Sequence, residues 1–417
     1  TGFAAQTFTG SNSYTGGTTI NAGQLIADAD DTLTTTGAVT LSGTADFVIA
    51  SGVSQTIGDL SSASENSEVR LVGDLTVTQT SEGTFAGVTT STGAFEKAGA
   101  ALLILTNDNT HKGNTTISAG TLRIDGGTLS DDTNVIVNGG TFDVDSDNTV
   151  RSISGTGGTI DIDSGVTLTN PATTDKTYAG ALTGSGTLSN TGISTLTLTG
   201  TNTITNIALA TANGRLQVSG SGTLSTGTTV SVAENAVYYA KNTDTVAGIT
   251  GAGIVDIAPG ITLSAGNSSA ATTFTGIIRS SQVLAEDGSV DTAYGSFNKV
   301  GSEALTVSGT VGRLTTLTIS EGSLTLGGDD IINDFTPVVL EDIAGVVFNL
   351  NNNSDTIGNL SSSTNNNGGN VTLGSGTLTL NTRSNVTYAG VISGTGSVVK
   401  TGFAAQTFTG SNSYTGG

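Results

Sequence analysis

Side chains able to do chemistry are few in this chain. His111 is the one histidine among 417 residues, and there is no cysteine. An imidazole can serve as the base of a Ser-His-Asp arrangement. His111 also stands at a turn position of a repeated motif, where an exposed structural role is expected. The carboxylates offer more. "FDVDSDN" from Phe142 to Asn148 and "TIDIDSG" from Thr159 to Gly165 carry Asp143, Asp145, Asp161 and Asp163. In a strand, alternation sends Asp143 and Asp145 outward past an inward Val144, and Asp161 and Asp163 outward past Ile162. The two runs lie 18 residues apart, about one turn of a coil, so the four carboxylates can meet. Such a cluster can form a solvated acidic face, bind Ca²⁺ weakly through hard oxygens, or cleave polysaccharide as a carboxylate pair. The EF-hand pattern fails, because Asn148 stands where the loop needs Gly and Ser154 where it needs Glu. The solvated face is the expectation, as it is for Asp28, Asp30 and Asp31 in "ADADD". No catalytic, cofactor-binding or metal residue is assigned.

Composition narrows the field further. Acidic residues outnumber basic ones 34 to 13, a formal charge of −21 that repels nucleic acid and acidic membrane surfaces. Without cysteine, disulfides, thiol catalysis and thiolate metal sites drop out. No apolar run approaches the roughly 20 residues of a membrane helix. Glycine is abundant, at 60 residues, but has no collagen-like three-residue period.

The elements that hold these residues are short strands. "TLTLTG", "GTIDIDSGVTLTN" and "VTLGSGTLTLNT" alternate apolar with polar residues over four to six positions and stop at Gly, Asn, Asp or Ser. Apolar spacing at helical period is missing, and β-branched Thr, Val and Ile disfavour helix, so essentially no α-helix is expected. Aromatic residues make up only 5% of the chain, too few for the wide core of a β-sandwich. A parallel solenoid needs only small aliphatic side chains stacked from one turn to the next. Units such as "GTLTL" and "GTIDI" then define rungs about 4.8 Å apart, roughly 17 to 20 of them in the chain.

Repetition operates on two scales. Thr1–Gly17 and Thr401–Gly417 are identical, which marks a period of 400 residues and leads us to expect one repeat of something longer. Within that period three landmarks recur in a fixed order. One is "QTIGDL" from Gln55, "NTVRSI" from Asn148, "DTVAGI" from Asp244 and "DTIGNL" from Asp355. The next is "TFAG" or its variants from Thr84, Thr177, Thr273 and Thr387; the last is a restart at Lys97, Asn190, Lys299 and Lys400. These delimit modules at 1–96, 97–189, 190–298 and 299–399, with 400–417 opening the next copy. Segments near 280–296 and 327–342 break the pattern and read as insertions that emerge as loops.

Read across the boundary from Lys400 into Thr1–Leu25, "KTGFAAQTFTGSNSYTGGTTINAGQL" resembles the autotransporter-associated β-strand repeat, and "KAGAALLILTNDNTHKGNTTISAGTL" from Lys97 resembles it nearly as well. The copies from Asn190 and Lys299 lose the Tyr-Thr-Gly-Gly turn. The resemblance implies a right-handed parallel β-helix, all-β, in a very large protein of the bacterial surface or extracellular space. Taken with the scarcity of reactive side chains and the 400-residue period, the expectation is a structural or adhesive repeat, not an enzyme, with no cofactor and with neighbouring copies meeting end to end. Lateral self-association and surface glycans are further candidate partners; nucleic acid and membrane insertion are not. The alternative is a β-helix that binds or cleaves polysaccharide.

Overall fold

The computed structural model describes residues 4–281, 293–364 and 368–417. Regular structure there is β-strand, in runs of two to five residues, with no helix. The chain divides into two compact units, Thr1–Thr205 and Asn206–Gly417. Each is a parallel β-solenoid, with about 20 turns between them.

In the first unit, consecutive strands fall in different sheets. Ala5–Phe8, Gln24–Ala27, Asp46–Ile49, Glu68–Leu71 and Val88–Ser91 pair side by side in one sheet. Thr18–Ile20, Val39–Leu41 and Leu60–Ser62, which lie between them in the chain, belong to another. A strand therefore bonds to its counterpart one turn later, in parallel, which is what coiling requires. Leu103 pairs with Leu122, then Phe142, Ile160 and Leu182 follow in register, a buried column through five turns. The second unit repeats the device with Leu305, Leu324, Phe348, Val371 and Ile392. Alternation holds within strands: Thr195–Leu198 and Ser323–Leu326 bury every second residue. The few aromatic residues are mostly inward too, Phe47, Phe95, Phe142 and Phe348 among them.

Turns stack as closely as strands. A Cβ placed on Gly200 would lie 2.1 Å from the Gly180 carbonyl oxygen, so glycine is needed there for backbone to sit on backbone.

The two pattern-breaking segments differ in kind. Leu263 pairs with Phe297, 34 residues on, so the chain makes a longer excursion between these turns. Residues 282–292 of that segment lie outside the described residues; at its edges the Gly295 amide donates to Ser280 Oγ at 2.8 Å. Gly327–Asp342 is no projecting loop. Its Val338–Leu340 pairs with both Leu317–Ile319 and Leu360–Ser362, and Ile331 and Ile332 are buried, because an apolar "IIN…PVVL" run belongs in the wall.

Candidate functional site

His111, expected at the surface, is fully buried. Its turn folds inward, where Nδ1 meets Thr89 Oγ1 at 2.7 Å and Nε2 meets Thr115 Oγ1 at 2.8 Å. Thr115 continues to Thr133 at 3.2 Å, so hydroxyls satisfy both ring nitrogens. Burial lowers the imidazole pKa to about 4, leaving it neutral at physiological pH. No carboxylate contacts the ring among the described residues, so the arrangement lacks the third member of a triad.

The acidic residues are brought together in part. Asp143, Asp161 and Asp163 offer carboxylate oxygens within 4.8 Å of one another. Asp143 and Asp161 are register neighbours, as the sequence suggested. Asp143, however, is buried, at 7% exposure, because Arg123 from the preceding turn folds over it. Its Nε donates to Asp143 Oδ2 at 2.8 Å and approaches Asp145 Oδ2 at 3.3 Å. Burial, and then the neighbouring Asp143, push the Asp145 carboxyl up to about 6. Asp161 in turn accepts the Thr183 hydroxyl at 2.5 Å. The column Arg123–Asp143–Asp161–Thr183 thus carries its own counter-charge, which alternation alone does not reveal. Elsewhere Asp30 and Asp31 are tied to the backbone: their carboxylates accept the amides of Ser54 and Thr56, both at 2.8 Å. Asp28 remains exposed.

The groups that recur with the modules are inward polar side chains. At the head of the first landmark, Gln55, Asn148, Asp244 and Asp355 are all buried. Each presents an oxygen to a backbone amide one turn earlier: Leu33 at 3.1 Å, Leu129 at 3.0 Å, Leu224 at 2.7 Å and Ile331 at 2.8 Å. The chain bends away from the sheet there, and the side chain replaces the lost ladder partner. Asp355 Oδ1 has no partner, and burial pushes this carboxyl up to about 7. In the second landmark Phe85, Tyr178, Phe274 and Tyr388 fill the core, and Tyr178 donates its hydroxyl to the Gly158 carbonyl at 3.2 Å.

The restart lysines form the most regular group. Lys97 is fully buried, and Nζ donates to the carbonyls of Ala98, Gly99 and Ala119 at 2.9, 2.9 and 3.1 Å. Lys299 does the same with Val300, Gly301 and Glu321 at 2.8, 2.8 and 3.0 Å. An ammonium has three donors, and three carbonyls receive them. Two belong to the lysine's own turn and one to the next, so the side chain fastens consecutive turns. Desolvation brings both lysines down to about 8, still protonated at neutral pH. Lys400 donates to Thr401 and Gly402 in the same way. At Asn190, which takes the place of the lysine, the buried amide oxygen accepts Asn170 Nδ2 at 2.8 Å instead.

Comparison with family models matches the passenger-associated-transport-repeat over residues 1–27, 95–124 and 398–417. Two of these stretches contain the restart lysines Lys97 and Lys400, whereas Lys299 keeps the same geometry outside the matched residues. Searches of curated proteins and of solved structures return no match.

Proposed function

Because the chain carries a repeat found in autotransporter passengers, we propose that it is a structural stretch of a bacterial surface or extracellular protein, a β-solenoid spacer that gives reach and supports attachment. The observation that carries this reading is the lysine fastener, repeated at Lys97 and Lys299. The recurring groups Gln55, Asn148, Asp244, Asp355, Lys97 and Lys299 are buried and direct hydrogen bonds to the backbone of neighbouring turns, which favours cohesion over substrate contact. The reading is accordingly non-enzymatic, with neither His111 nor the Asp143 column in a catalytic role. It also needs no cofactor. Ca²⁺ at the Asp143 column would compete with the Arg123 guanidinium and bind weakly, so a chelator leaves the melting temperature unchanged.

Consecutive copies would continue the coil end to end. Lys97 and Lys299 each find their third carbonyl 22 residues downstream. Counting 22 residues on from Lys400 through the 400-residue period leads to Ala22 of a following copy. Its carbonyl is the acceptor that Lys400 would take.

Antibodies against the chain, applied to intact cells of its source, test the location and role. Labelling without permeabilisation, together with weaker attachment after in-frame removal of one period, is the expected result. Labelling that needs permeabilised cells would sink the reading.

A further inference from the structure

The first unit contains six basic side chains, and four are already engaged. Arg70 pairs with Glu68, Lys112 with Asp132 and Arg123 with Asp143, while Lys97 is fastened to carbonyls. Arg151 and Lys176 have no carboxylate within salt-bridge distance among the described residues. Both line one groove of about 520 Å³, where Arg151 lies near enough to Asp132 to help Lys112 hold that carboxyl below its usual value.

That groove is assembled from successive turns. Pro171 gives it an apolar face and the exposed Thr173 and Thr174 contribute hydroxyl groups, while the buried Ser152 donates to Asn134 Oδ1 at 2.7 Å and holds the floor. A mixed lining of this kind suits a sugar ring, which has C–H groups on its faces and hydroxyls at its edge. Asp131 is shared with a second groove of about 230 Å³, lined largely by threonines and reaching Asn148. Two adjoining grooves favour an oligomer over a single sugar. Asp131 and Asp132 on the rim disfavour densely charged phosphate or sulfate polymers, whereas one carboxylate per ring can seat between Arg151 and Lys176.

We propose that this groove binds an acidic oligosaccharide of the hexuronate class, its carboxylate held by Arg151 and Lys176 and its hydroxyls by Asp131, Thr173 and Thr174. The inference does not rest on the surface-fibre reading. A failed labelling experiment leaves it standing, and a failed titration leaves the fibre reading standing.

The test is calorimetric titration of the full chain at low salt with tetragalacturonate and with neutral maltotetraose. Tetragalacturonate is expected to bind at least 10-fold more tightly. The double variant Arg151→Ala/Lys176→Ala should lose at least 10-fold in affinity with its melting temperature kept, and Arg151→Gln alone should lose less. Arg70→Ala/Lys241→Ala removes the same charge away from the groove and should bind as the parent does. Absence of tetragalacturonate binding up to its solubility limit overturns the proposal, as does equal binding of the neutral sugar. An equal loss in the Arg70/Lys241 variant reduces the effect to net charge and overturns it as well.

Discussion

Asp355 and His111 are buried ionisable groups with opposite pH signatures. The Asp355 carboxyl is held up near 7, above its usual 3.8. The folded chain therefore binds a proton more readily than the unfolded chain between these values, and its contribution to stability falls as pH rises from about 4 to 7. Asn148 already performs the same amide-accepting task in another module. Asp355→Asn should accordingly stabilise the chain at pH 8 by about 1–3 kcal/mol and have little effect at about pH 3, below the ordinary carboxyl value, as read from denaturant midpoints. His111 behaves the other way. Its folded pKa of about 4 lies below the usual 6.5, so the unfolded chain takes the proton first. Stability is full above pH 6.5 and is lost as pH falls towards 4, by up to about 3 kcal/mol. His111→Gln should lack this component, and the difference between the two pH profiles isolates it from the carboxylates. Neither burial was legible in the sequence. Alternation assigns polar residues outward, but a narrow parallel coil bends its backbone at every corner and leaves amides that only an inward polar side chain can reach. The recurring words at Gln55, Asn148, Asp244 and Asp355 were visible as landmarks, and their role as amide acceptors was not.

At the scale of strands and turns, sequence and structure agree most closely. "TLTL" at Thr195–Leu198 and "TIDI" at Thr159–Ile162 alternate in burial as their letters alternate in polarity, and the expected absence of helix holds throughout the described residues. The disagreement at Gly327–Asp342 has a simple cause. The segment departs from the repeat in wording while keeping an apolar periodicity, and burial follows periodicity. Fastening between turns is the property of the element to test. Lys299→Met keeps the aliphatic stem but leaves the carbonyls of Val300, Gly301 and Glu321 without donors in a closed interior. Orphaned buried acceptors cost about 1–3 kcal/mol each where water cannot enter, so a loss of about 2–4 kcal/mol overall is expected after relaxation. Amide exchange in Leu317–Ile319 and Ser323–Leu326 should rise while that in Thr377–Asn381 stays slow, because a solenoid turn depends chiefly on its neighbours.

For the whole molecule, the central claim is that its turns stack in parallel with the register described for each unit, so that cohesion runs from turn to turn and the chemistry of the interior is structural. The chain has no cysteine of its own, so pairs can be introduced without background. Thr177 lies beside Thr197 in the first unit, and Thr306 beside Thr325 in the second, with all four side chains outside the core. Neighbouring parallel strands stand about 4.8 Å apart, within reach of dibromobimane, whereas Thr306 and Asn349, two turns apart, are about twice as distant. The measurement is fluorescent bridging of the three double-cysteine variants. Rapid bridging of Thr177→Cys/Thr197→Cys and Thr306→Cys/Thr325→Cys is expected, and none of Thr306→Cys/Asn349→Cys. Equal bridging of the two-turn pair, or no bridging of the neighbours, would contradict the parallel stacking.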